Sequence, residues 1–168
     1  DTDTLNGSDT GIISTNGKNG NSNNQGAGGG GRIAIYYNTD NWNLSNQILA
    51  SRVSSQGGSS GGGAGTIYIE DKVNDTQHEA RLSVRNNQNS NSAVLLQNSY
   101  RFSEINLTNY GHLNLTGTES TLILTPETEL SGDTTVSNVT VEGIITYTGE
   151  GALEISGVNL GVKGDIVE

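Results

Sequence analysis

The first nine residues carry a dense set of hard oxygen donors, Asp1, Asp3, Asn6 and Asp9, with Gly7 placed for a sharp turn. Carboxylates and amides are the ligands that Ca2+ selects, so these four residues form a candidate calcium loop. The fit is partial. A helix–loop–helix calcium loop wants an oxygen ligand at its fifth position and an acid at its twelfth, where this chain has Leu5 and Ile12. The same residues also read as an acidic terminus without an ion. The Gly-Gly-x-Gly-x-Asp calcium repeat is absent.

A second candidate is aromatic. Tyr36, Tyr37 and Trp42 stand among Asn38, Asp40, Asn41 and Asn43. Rings stack on sugar C–H faces, and amides or a carboxylate bond hydroxyls. Tyr36, Tyr37, Asp40 and Trp42 are therefore the candidate ligand-binding residues, with a surface glycan or matrix polymer as partner. In the competing reading Trp42 packs beneath its own loop and one tyrosine faces inward. Tyr100, Phe102 and Tyr110 read as corner fillers. No catalytic residue is assigned. His78 and His112 have no nucleophile at a recognisable spacing, and Glu127 and Glu129 in an acidic stretch read as a solvated face.

The elements that must position these residues are constrained by composition. The 168 residues hold 8 Lys+Arg against 18 Asp+Glu, a net charge of −10. Such a surface repels phosphate, which excludes nucleic-acid binding. No apolar stretch approaches the ~20 residues of a membrane-spanning helix, so no membrane insertion is expected. There is no Cys and no Met, which removes disulfides and cysteine catalysis and suits a secreted or cell-surface setting. The start at Asp1 without Met leads us to expect a mature or excised chain.

Glycine and charge divide the chain into three zones. Residues 1–65 hold 15 of the 24 Gly, 66–110 hold none, and 111–168 hold nine Gly and a net charge of −8. Apolar residues come in short β-branched clusters such as Ile33-Ala34-Ile35, Ile48-Leu49-Ala50, Ile105-Asn106-Leu107 and Leu122-Ile123-Leu124. Most have two apolar side chains on one strand face, flanked by Asn, Gly, Ser, Thr or Asp. Only 31% of residues are hydrophobic, too few for a wide two-sheet core. A stack of short coils needs only a few Ile, Val or Leu per rung. The expected fold is all-β, a right-handed parallel β-helix (β-solenoid) forming one domain over 1–168 or a fragment of a longer one.

One repeat is explicit. The string GAGGGGRIAIYY (26–37) aligns with SGGGAGTIYIED (60–71), so that Ile33 and Ile35 match Ile67 and Ile69. Glycine before each strand lets neighbouring backbones stack closely. These strings resemble the Gly-rich strand repeats of large bacterial surface and adhesin-like proteins, which are parallel β-helix polypeptides. The resemblance covers residues 26–71 and implies a fold and a surface setting, with no catalytic motif. It makes an extracellular structural or adhesive module the expected function. A carbohydrate-binding or polysaccharide-degrading β-helix and a self-assembling filament protein are the alternatives. Further copies or flanking rungs are expected at open sheet edges.

Overall fold

The computed structural model describes residues 2–20, 26–59, 61–72, 80–85, 94–96, 99–108, 111–116, 118, 120–125, 128–132, 138–141, 144–147, 155–156, 159–162 and 165–167. Strands dominate. The N-terminal half holds β1 (Thr2–Leu5), β2 (Ile13–Ser14), β3 (Arg32–Asp40), helix α1 (Leu44–Leu49), β4 (Val53–Ser54) and β5 (Gly65–Asp71). The C-terminal half begins with β6 (Ala80–Arg85), β7 (Val94–Leu96) and β8 (Ser99–Arg101). It continues with β9 (Glu104–Thr108), β10 (His112–Leu115), β11 (Thr121–Leu124), β12 (Glu129–Gly132), β13 (Asn138–Val141) and β14 (Ile144–Tyr147). The last three strands are β15 (Ile155–Ser156), β16 (Asn159–Val162) and β17 (Ile166–Val167).

In the C-terminal half the chain visits three sheets in a fixed order. The sets β6–β7–β8, β9–β10–β11, β12–β13–β14 and β15–β16–β17 each place one strand in each sheet, and every pairing among them is parallel. Leu82, Ile105, Leu130 and Ile155 occupy matched positions in successive strands of one ladder. Alternation explains the core: in β9, β10 and β11 every second residue is buried, so Ile105, Leu107, Leu113, Leu115, Leu122 and Leu124 point inward.

The N-terminal half stacks two wider passes. β1 pairs with β3, β3 with β5 and β2 with β4, all in parallel. The 34-residue repeat is realised as register: Ile33 lies beside Ile67 and Ile35 beside Ile69. These four residues join Tyr37, Trp42, Leu44 and Val53 in a separate core.

The two halves meet at β5 and β6, which pair antiparallel. Tyr68 is opposite Leu82, Glu70 opposite Ala80 and Thr66 opposite Val84. Directly opposed residues share a face, so Ala80, Leu82 and Val84 project from the face opposite to Ile67 and Ile69. One seven-stranded sheet, ordered β1-β3-β5-β6-β9-β12-β15, thus carries the N-terminal core on one face and the C-terminal core on the other. The remaining β6 side chains point toward α1: the Arg81 guanidinium donates to the Ser45 and Tyr37 hydroxyls, and that of Arg85 donates to Ser51 at 2.9 Å.

The cluster at Ile48-Leu49-Ala50 is not a strand but the end of α1. The Asp40 carboxylate accepts hydrogen bonds from the Trp42 and Leu44 backbone N–H groups at 3.0 and 2.7 Å, which turns the chain into the helix. Leu44 and Ile48, four residues apart, then face the same core.

Glycine works here by close approach. Gly17 N–H bonds to Gln56 O at 2.8 Å, Gly28 N–H to Lys18 O at 2.9 Å and Gly58 N–H to Gly28 O at 2.9 Å. A Cβ on Gly17 or Gly65 would penetrate the carbonyl oxygen of Gly28 or Ser55 respectively, whereas Gly26 has open space around it. Gly65→Ala is expected to lower stability by roughly 1–3 kcal/mol and Gly26→Ala to leave it unchanged. Thermal melts of the two variants check this.

Candidate functional site

Two of the amino-terminal oxygens accept hydrogen bonds from side-chain amides. Asn38 Nδ2 donates to Asp3 Oδ1 at 2.7 Å, and Asn41 Nδ2 donates to Asn6 Oδ1 at 3.1 Å. Both bonds join residues 35 apart on adjacent passes, so Asp3 and Asn6 act as ladder contacts. Asp9 is exposed in the following turn, and Asp1 lies outside the described residues. Among the described residues no group of three or more His, Cys, Asp or Glu is placed to hold a metal ion. Trp42 Nε1 donates to Ser8 O at 2.8 Å, and a Cβ on Gly7 would collide with the indole. Gly7 lets residues 6–11 lie flat over that ring.

The aromatic candidates divide in the same way. Trp42 and Tyr37 are 5% and 4% exposed, which leaves neither a face for a sugar ring. Tyr37 is held by Arg81, and burial pushes its phenol upward while that guanidinium opposes the shift. Asp40 is consumed by the turn into α1. Tyr36 points away from the N-terminal core and stays partly exposed. Asp40→Ala is expected to cost about 1–2 kcal/mol, as loss of a helix cap does, measured by chemical denaturation.

Tyr36 belongs to a larger site that the sequence did not single out. The rows Arg32, Ala34, Tyr36 of β3 and Thr66, Tyr68, Glu70 of β5 form the floor of a cleft of about 820 Å³. Tyr100 and Arg101 of β8, with Phe102 and Ile123, form its wall. The rings are close: Tyr36 to Tyr68 is 5.7 Å between centroids, Tyr68 to Phe102 is 6.4 Å, and Tyr100 stacks on Phe102 at 5.8 Å with 4° between planes. The Tyr68 hydroxyl donates to Glu70 Oε2 at 2.7 Å. Burial, followed by that hydrogen bond and the adjacent carboxylate, raises the Tyr68 phenol well above its ordinary value, so it remains a neutral donor. The Lys72 ammonium lies 5.3 Å from the centre of the Tyr36 ring. One signal for this site existed: the repeat aligns Ala34 with Tyr68, placing Arg32, Tyr36 and Tyr68 on one face. The wall came from a pairing that the repeat does not encode.

A smaller cavity of about 110 Å³ lies on the opposite face, lined in part by Ser45, Ile48, Arg81, Glu104 and Asn106. Burial raises the Glu104 carboxyl above its usual range, partly offset by Arg81. A carboxyl raised in the folded state favours folding when protonated, so ionisation costs stability. The cost is absent below the unfolded pKa and complete once pH exceeds the folded one. Glu104→Gln should therefore raise the melting temperature at pH 7 relative to the parent and lose that advantage near pH 4, a comparison read from paired melting curves.

Thr125 and Thr128 are buried, and the Thr128 hydroxyl donates to Phe102 O at 3.1 Å while accepting from Thr125 N at 3.0 Å. They pin a corner between passes. Among the described residues no helix is long and apolar enough to cross a membrane. No family model matches the chain, and no curated protein or solved structure matches it.

Proposed function

We propose that the chain is an extracellular right-handed parallel β-solenoid serving as a stiff structural and adhesive module at a cell surface. The observation that carries this reading is the matched register of four successive passes through the same three sheets, with Leu82, Ile105, Leu130 and Ile155 in one column. Each pass pairs in parallel with the next in all three sheets, and buried aliphatics such as Leu82, Ile105 and Leu130 stack between passes. Stability of this kind is a sum of local interfaces and resists load along the stack. Handedness follows from the strong chirality of parallel crossovers. The acidic, Cys-free, Met-free composition fits an exposed setting, and the Gly-rich repeats at 26–37 and 60–71 fit the adhesin-like surface proteins they resemble. The reading assigns attachment and no catalytic step.

Stretching the chain by its two ends in a single-molecule force experiment tests the reading. Stepwise release is expected, each step adding about 80 Å, the extended length of roughly 25 residues. A single collapse of the whole chain at low force would overturn it.

A further inference from the structure

We propose that the cleft between β3, β5 and β8 binds an acidic oligosaccharide, with Tyr36, Tyr68 and Tyr100 as apolar platforms and Arg32 and Arg101 holding uronate carboxylates. The inference supplies a ligand for the adhesive module proposed above and rests on that reading for its setting.

Three observations converge on this chemistry. The first is shape: about 820 Å³ falls within the roughly 300–1,000 Å³ of small-molecule sites, and the cleft has a wall rising from its sheet floor rather than one flat sheet face. The second is the lining. Partly exposed tyrosine rings stand beside hydroxyl and guanidinium donors, and sugars present both apolar C–H faces and hydroxyls. The third is charge. The chain carries a net −10, yet the cleft is lined by Arg32 and Arg101 against one carboxylate, Glu70, which already accepts from Tyr68. Lys72 adds a further cation at the Tyr36 ring. Both arginines are exposed, so their planar donor forks are accessible to carboxylates in a bidentate fashion.

The distribution of charge favours an anionic ligand over a neutral one. Acids crowd residues 111–168, whereas the cleft draws on residues 32–123 and is locally positive. An anion is thus repelled by the acidic C-terminal third and favoured at the cleft. That selectivity matches a surface polymer gripped at one position.

Isothermal titration of the full chain with a uronic-acid tetrasaccharide, its neutral hexose counterpart and an Asp tetrapeptide tests the proposal. The uronate is expected to bind at least about tenfold more tightly than the other two, with affinity falling as salt rises. Arg32→Gln and Arg101→Gln should each weaken uronate binding by roughly 3–10-fold with melting curves unchanged, and Tyr36→Phe, which keeps the ring, should bind nearly as the parent does. Equal affinity for the neutral sugar overturns the acidic assignment, and equal affinity for the peptide overturns the carbohydrate one. Parental affinity in both arginine variants places the site elsewhere, and silence toward all three probes removes it. None of these outcomes alters stepwise unfolding under force, so failure of the ligand and failure of the module are read separately.

Discussion

The antiparallel pairing of β5 with β6 is the constraint on which the rest of the molecule depends. A strand normally buries one face and solvates the other. Once β6 runs against β5, both faces of the central sheet must be covered, by α1 and its loops on one side and by the C-terminal passes on the other. The residues at the seam answer that demand. β6 reads Ala80-Arg81-Leu82-Ser83-Val84-Arg85, with apolar groups toward one core and long polar groups toward α1. Arginine suits this position because its stem packs while its fork reaches hydroxyls such as those of Ser45, Tyr37 and Ser51. A lysine would supply charge without the fork.

The two halves are held together by different balances of the same forces. In the C-terminal half, columns of Leu, Ile and Val are almost fully shielded from water, each contributing about 1.5–3 kcal/mol through burial. In the N-terminal half much of the contact is backbone on backbone. Glycine segments around residues 17, 28, 58 and 65 approach too closely for side chains, and Asn16, Asn38 and Asn41 bond across passes at 3.0, 2.7 and 3.1 Å. Net gains from single hydrogen bonds are only about 0.5–1.5 kcal/mol, so many must act together. This division explains how a chain with 31% hydrophobic residues sustains two cores.

The legible part of the fold was its periodicity. The repeat at 26–37 and 60–71 contains the register of β3 on β5, and the doublets such as Leu113-Asn114-Leu115 contain the alternation that buries two side chains per strand. Helix α1 was hidden because Ile48-Leu49-Ala50 has the composition of a strand cluster, while its cause is Asp40, several residues earlier. Trp42 looked like a ligand platform because sequence shows aromatic neighbours but not the Ser8–Gly11 loop folded over the indole. The amide partners of Asp3 and Asn6 lie 35 residues away, beyond what local spacing shows. Spacing within a segment was readable; contacts between passes were not.

The cleft follows from the seam. In an uninterrupted parallel stack, the row Arg32, Ala34 and Tyr36 and the row Thr66, Tyr68 and Glu70 would face solvent on a flat sheet. Inversion of strand polarity puts the core of the second half on that same face, so β8 and Phe102 rise beside the tyrosines and turn a surface into a cleft. The aromatic chain Tyr36–Tyr68–Phe102–Tyr100 runs continuously from one half into the other. Tyr68 is the link, since it packs against the C-terminal core while its hydroxyl engages Glu70 on its own strand. A change of chain direction needed to join two stacks thus also supplies the concavity and the local positive charge that either stack would lack alone.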